Sequence, residues 1–192
     1  EDAFEAHMLL ACVMFLHEHD WSGARPHFER AGKFLPHSTL GRLGRGAYQM
    51  AAERRDEALE TARLYVEAEP LSAIAHAQAA NFHVALGDVA GAAALLEKAL
   101  ELDPGLSLVL PQLGFCRAVE GRLEEAADLL RDAVGKGLPS GSMYLPAVLV
   151  LAGRRDEARA TVEALEKAAT ERYVMPMVRA LAWAALDEKD RS

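Results

Sequence analysis

Two cysteines, 6% aromatic residues and a deficit of basic side chains mark this 192-residue chain. Each shortage excludes something. Cys12 and Cys116 have no second cysteine at redox or metal-ligand spacing, so neither a disulfide framework nor a cysteine-based zinc site is encoded. Both read as small core residues of a reducing compartment. A net charge of −8 and a pI near 5.4 leave no basic face broad enough to displace counterions from a nucleic acid. The same balance excludes a basic helix lying on a membrane surface. No apolar run approaches the ~20 residues that span a bilayer. β-Branched residues are sparse, and proline and glycine fall in short punctuating stretches without a long linker. The chain begins at Glu1 with no signal-peptide pattern, and we read it as a cytoplasmic fragment of a longer protein.

What is abundant is alanine and leucine within a 51% apolar composition, which favours helix and supports a sizeable core. The pentapeptide RRDEA occurs at 54–58 and again at 154–158. Its alanine belongs to a series: Ala24, Ala58, Ala92, Ala126 and Ala158 follow one another at steps of 34, 34, 34 and 32 residues. Such a period marks stacked helical hairpins. Four residues after each alanine stand Phe28, Ala62, Leu96, Leu130 and Val162. Gly87, Gly121 and Gly153 each lie five residues before a series alanine. Pro36, Pro70 and Pro104 are 34 apart, and Pro139 follows at 35.

Each unit reads as two helices. In the third, 74–86 forms the first helix, the Gly87-Asp88 turn stops it, and 91–103 forms the second until Pro104 breaks it. Asp56 and Glu57, Glu124 and Glu125, and Asp156 and Glu157 open second helices, where carboxylates complement the helix dipole. The series alanines give the close approach on the second helix; Cys12, Gly46, Ala80 and Gly114 give it on the first. Gly41, Gly44 and Gly46 weaken the first helix of the second unit by ~1 kcal/mol each relative to alanine, and Arg42 and Arg45 stand there where bulky apolar residues are expected.

The period, the Gly-Asp or Gly-Arg turn, the recurring alanine and the closing proline resemble the tetratricopeptide repeat (TPR) family over nearly all of residues 5–192. The resemblance implies an all-α, right-handed solenoid of five repeats, approximately 5–38, 39–72, 73–106, 107–138 and 139–170, plus a final helix at 174–189. HDWSGARPHFERA (19–31), AEPLSAIA (68–75), GRRDEARATVEAL (153–165) and residues 171–192 are similar to the C-terminal repeat region of bacterial signalling and transcription regulators. Those carry winged-helix, Ser/Thr kinase or adenylate cyclase domains N-terminally. The family implies a concave groove lined by first helices and a role in protein binding without catalysis.

Transferred to this sequence, that groove would present Leu9, Leu10 and Val13; Leu43, Gly44 and Ala47; Ala77, Gln78 and Asn81; Pro111, Gln112 and Phe115; and Met143, Tyr144 and Ala147. The set is apolar with a few amides and one phenol. It has no lysine or arginine to clamp a peptide carboxylate, so an amphipathic helix or extended apolar segment suits it. The partner is then a protein or peptide, or another domain of the same protein; the alternative is a small molecule sensed in the groove. The final helix carries Met177, Val178, Leu181, Trp183 and Leu186, and an exposed Trp183 face would favour a homodimer.

Chemistry is not encoded elsewhere. His7, His17, His19, His27 and His37 crowd the first 37 residues, but the His17–His19 spacing does not place ligands on one helical face. GRLGRG (41–46) has no preceding strand and no Lys-Ser or Lys-Thr after it, as a phosphate loop requires. Arg42, Arg45, Arg54 and Arg55 read as a solvated basic face. No nucleophile has a base at informative spacing. The expectation is a non-enzyme with no catalytic residues, no cofactor and no metal. Cys12 and Cys116, three repeats apart with helices spaced by ~8–10 Å, should not bridge.

Overall fold

A computed structural model describes residues 4–32, 49 and 54–186. Among them are ten α-helices and one 3₁₀ turn, with no strand. The chain divides into two compact units, 1–102 and 103–192.

The first unit contains α1 (Phe4–Leu16), α2 (Trp21–Gly32), α3 (Arg55–Ala68), α4 (Ala73–Ala85) and α5 (Val89–Leu102). α1 pairs with α2, α3 with α4, and α4 with α5. Met8, Ala11, Ala24 and Phe28 form one buried cluster. Ala58, Ala62, Tyr65, Ala79 and Phe82 form another, in which the Tyr65 and Phe82 rings lie 6.1 Å apart. The second unit contains the 3₁₀ turn Ser107–Val109, α6 (Leu110–Val119), α7 (Leu123–Gly135), α8 (Pro139–Leu151), α9 (Arg155–Glu171) and α10 (Pro176–Ala185). α8 touches α6, α7, α9 and α10, so α6, α8 and α10 make one layer and α7 and α9 a second. Leu130, Leu149, Val162 and Val178 are buried between them; each such side chain contributes about 1.5–3 kcal/mol relative to exposure.

The five series alanines are all 0% exposed. In each, the backbone N–H bonds the carbonyl four residues earlier at 3.0 Å: Ala24 to Asp20, Ala58 to Arg54, Ala92 to Asp88, Ala126 to Arg122 and Ala158 to Arg154. The same helix start thus recurs in every repeat. Phe28, Ala62, Leu96, Leu130 and Val162 are buried as the period predicts. At Gly114 the close approach is tight. A Cβ there would meet Leu130 Cγ at 2.8 Å and the Ala126 carbonyl oxygen at 3.3 Å.

The turns repeat as faithfully. Gly87, Gly121 and Gly153 have φ of 75°, 80° and 75°, which L side chains adopt at a cost. Beyond each, the next amide reaches back to the first helix: Asp88 to His83 at 2.9 Å, Arg122 to Arg117 at 2.8 Å, Arg154 to Leu149 at 2.8 Å. This is the Schellman closure. In the first repeat His19 occupies the glycine position with φ 54°.

Two kinds of residue begin the second helices. Asp20 and Asp88 accept the backbone N–H three residues on, from Gly23 at 2.9 Å and Gly91 at 3.0 Å. Glycine leaves room there: a Cβ at either site would lie 2.9 Å from the aspartate Cγ, so the capping side chain would have to shift. Arg54, Arg122 and Arg154 make no side-chain cap and pair instead with the glutamate three residues on: Glu57 at 2.9 Å, Glu125 at 2.5 Å and Glu157 at 2.6 Å. RRDEA is the arginine version of this start.

Some expectations shift. α5 begins two residues before the predicted 91, because Asp88 caps it. Pro70 and Pro104 sit in turns after helices, whereas Pro139 opens α8. There its missing N–H costs nothing. Pro146 lies within a continuous α8. The final helix spans 176–185 in place of 174–189, and the remainder beyond 186 lies outside the described residues.

Candidate functional site

The first helices carry the residues expected to meet a partner. On α1, Leu9, Leu10 and Val13 are 59%, 46% and 48% exposed; their spacing of one and four places them on one helical face. Leu43, Gly44 and Ala47, with Arg42 and Arg45, lie outside the described residues. On α4, Ala77 is only 3% exposed and offers no open surface, because it sits among the buried positions that bracket it in sequence. Gln78 is half-buried, and its amide oxygen is buried without a hydrogen-bond partner. Asn81, one turn on, is exposed.

In the second unit Gln112 and Phe115 on α6 and Met143 and Tyr144 on α8 are all half-buried, whereas Pro111 is buried. The Phe115 and Tyr144 rings pack 5.7 Å apart at 43°, so neighbouring first helices do bring these two aromatics together. Met143 and Tyr144 also rest on the core cluster below. The face is amphipathic: apolar rings with a phenol and an amide at the rim.

On α10 the expected exposed tryptophan is corrected. Trp183 is 6% exposed, and its indole N–H donates to Glu166 on α9 at 3.2 Å. Arg179 holds the same carboxylate through two bonds, at 2.8 and 2.5 Å. Arg179 first, then the indole, keeps the Glu166 carboxyl below the usual range. Arg155 donates to the Leu186 carbonyl and ties the end of α10 to the head of α9. Met177 and Leu181 remain exposed.

A polar series escaped the sequence reading. Gln49, His83 and Arg117 stand 34 residues apart, the latter two near the ends of α4 and α6. Each bonds an acid at the following turn: Gln49 to Glu57 at 3.3 Å, His83 to Asp88 at 2.7 Å, and Arg117 to Glu125 at 2.9 Å. Gln49 also accepts from Thr61 at 2.7 Å, and Arg117 reaches Glu120 at 2.9 Å. The His83 contact, followed by the Gly91 amide, holds the Asp88 carboxyl below its ordinary value. The common spacing was the available signal; the change of residue type disguised it. Each contact ties its side chain to the start of the helix that follows.

Of the amino-terminal histidines, His7 and His27 face each other with Nδ1 atoms 2.8 Å apart, and His17 and His19 are exposed; His37 lies outside the described residues. No group of three or more His, Cys, Asp or Glu side chains among the described residues is arranged to hold a metal ion. Arg54 of the predicted basic face is paired with Glu57. Both cysteines are free, Cys116 buried and Cys12 partly so, and burial raises both thiol pKa values. No helix among the described residues is long and apolar enough to cross a membrane.

No family model and no curated protein matches the chain. Solved structures match its fold. A thermophilic TPR protein of Thermus thermophilus superposes with a TM-score of 0.74 at 22% identity, covering 96% of this chain and 99% of that one. PilW, a widely conserved type IV pilus biogenesis factor, gives 0.76 at 21% identity over 100% and 89%. YrrB, a TPR protein with an unusual peptide-binding site, gives 0.62 at 17% identity over 94% and 90%. These likenesses show the fold: an all-α helical-repeat solenoid of the tetratricopeptide kind.

Proposed function

We propose that this chain is a protein-interaction module of a larger bacterial regulatory protein, binding an apolar peptide or partner segment on the faces of its first helices. The observation that carries the reading is the exposed aliphatic face of α1, Leu9, Leu10 and Val13. Adjacent exposed aliphatics on a helix mark a contact surface. The Phe115–Tyr144 pair supports it with a second apolar surface of the same helix class. None of the groove positions is lysine or arginine, so the ligand's apolar side chains, not its terminal carboxylate, provide recognition. YrrB, of the same fold, is described by a peptide-binding site. The regulatory context rests on the similarity of 19–31, 68–75, 153–165 and 171–192 to C-terminal repeat regions of bacterial signalling proteins. Finding a winged-helix, kinase or cyclase segment upstream of Glu1 in the full-length sequence would support it, and a full-length sequence without one would remove it.

The test is a fluorescence-anisotropy titration with amphipathic apolar peptides, each made with an amidated and a free C-terminus. Both forms should bind alike, and Leu10→Asp, an exposed change that leaves the core intact, should weaken both by at least about tenfold, as loss of a central apolar anchor does. Failure of the amidated form to bind, or indifference to Leu10→Asp, overturns the reading.

A further inference from the structure

The second unit contains a cleft on the side away from the first-helix face. α7, α8 and α9 border a cavity of about 430 Å³, within the range of small-molecule sites. A second cavity of about 250 Å³ adjoins it between the α7–α8 turn, the end of α9 and the start of α10. Val134, Ser142, Leu165 and Arg172 line both, and so form the waist between them. On α8 the cleft takes Ser142 and Leu145, roughly half a turn around the helix from Met143, Tyr144 and Ala147. This site is therefore separate from the proposed peptide face.

Its walls are mainly aliphatic: Val134, Leu145 and Leu165 in the larger lobe, Val174, Met175 and Val178 in the smaller. The ionic residues at the far end satisfy one another. Glu157 accepts from Arg131 at 2.7 Å and from Arg154 at 2.6 Å, and Arg131 also reaches Asp128 at 2.7 Å. The waist is different. The Arg172 guanidinium and the Ser142 hydroxyl have no hydrogen-bond or ion-pair partner among the described residues. Arg172 is exposed and Ser142 half-buried. Two unengaged donors thus stand at the mouth of an apolar cleft, with no unengaged carboxylate among its lining residues.

We infer that this cleft binds a free aliphatic carboxylic acid, its chain along the apolar walls and its carboxylate on Arg172 and Ser142. The aliphatic walls suit an apolar body, and an anionic carboxylate both accepts from the two donors and pairs with the guanidinium charge. A guanidinium–carboxylate contact at a wet rim is a charge-assisted hydrogen bond, while each methylene removed from water adds to affinity. A neutral alcohol of equal length lacks the anion.

Isothermal titration of the full chain with decanoate, below its self-association range, tests this. Saturable binding is expected, at least about tenfold tighter than 1-decanol, and weakened at least about tenfold by Arg172→Gln, the range for loss of a hydrogen bond to a charged group. Ala164→Leu, which fills the larger lobe from an exposed position of α9, should abolish binding with the helical circular dichroism retained. Phe115→Ala and Leu10→Asp should leave decanoate binding unchanged, so this inference and the peptide reading fail separately. Equal affinity for decanoate and decanol, indifference to Arg172→Gln, or no saturation overturns it. Exclusive binding of peptides ending in a free carboxylate, lost in Arg172→Gln, would also overturn it in favour of a peptide terminus.

Discussion

Arg154 stands 2.6 Å from Glu157, three residues on, at the head of α9, and Arg54 and Glu57 hold the same relation at 2.9 Å at the head of α3. The two copies of RRDEA therefore repeat an interaction as well as a spelling. Where aspartate replaces the first arginine, as in Asp20 and Asp88, the glutamate gives way to glycine, and the side chain itself caps the helix. One helix start thus has two solutions in this chain.

Asp88→Ala should cost about 1 kcal/mol, the usual loss of an N-cap, because Gly91 N–H loses its acceptor and His83 its partner. Arg122→Ala should cost about half that or less, since exposed ion pairs contribute little. Urea unfolding of the two variants under one buffer checks the order. Equal losses would mean that the arginine version caps as firmly as the aspartate one.

His19 holds φ 54° where three other turns have glycine. A left-handed conformation costs an L residue ~1–2 kcal/mol, and glycine's larger unfolded-state entropy returns part of that. His19→Gly should therefore stabilise the protein by about 0.5–1 kcal/mol. The denaturation midpoint should rise with an unchanged slope.

Gly114→Ala should destabilise by about 1–3 kcal/mol, the range for overpacking. The added methyl meets Leu130 Cγ and the Ala126 carbonyl oxygen on the facing helix. Gly135→Ala is the control, since nothing lies within 4 Å of a Cβ there. A matched effect in both would show that helix propensity, and not the contact with α7, governs Gly114.

The hairpin register was legible because it depends on local spacing. The series alanines, the glycine turns and the residue four places on are tied by backbone geometry that every repeat shares, so a period of 34 suffices to find them. What stayed hidden depends on residues far apart or on which of several polar types fills a slot. Trp183 looked exposed because its cover, Glu166 and Arg179, comes partly from another helix. Ala77 looked groove-facing from its place in the repeat alignment, yet packing buries it. Ser142 and Arg172, which define the cleft at the end of the second unit, lie 30 residues apart with no motif between them. Only packing brings them to one waist.

Acid should loosen the second unit through Glu157 and Glu166. Arg131 and then Arg154 lower the Glu157 pKa, and Arg179 and then Trp183 lower that of Glu166. A carboxyl whose folded pKa lies below its unfolded value contributes stability fully above the unfolded pKa, and loses it as pH falls through the folded one. Stability should thus be level through neutral pH, begin to fall in the ordinary glutamate range and keep falling below it. Glu166→Gln should flatten that acid limb, because it removes one of the linked protons. Added salt should act in the same direction, since these pairs are partly exposed and so partly screened. Unfolding free energies measured from pH 7 downward, with wild type and Glu166→Gln in parallel, decide it: identical acid limbs would assign the loss to carboxyls other than Glu166, and a limb that rises with acid would contradict the linkage itself.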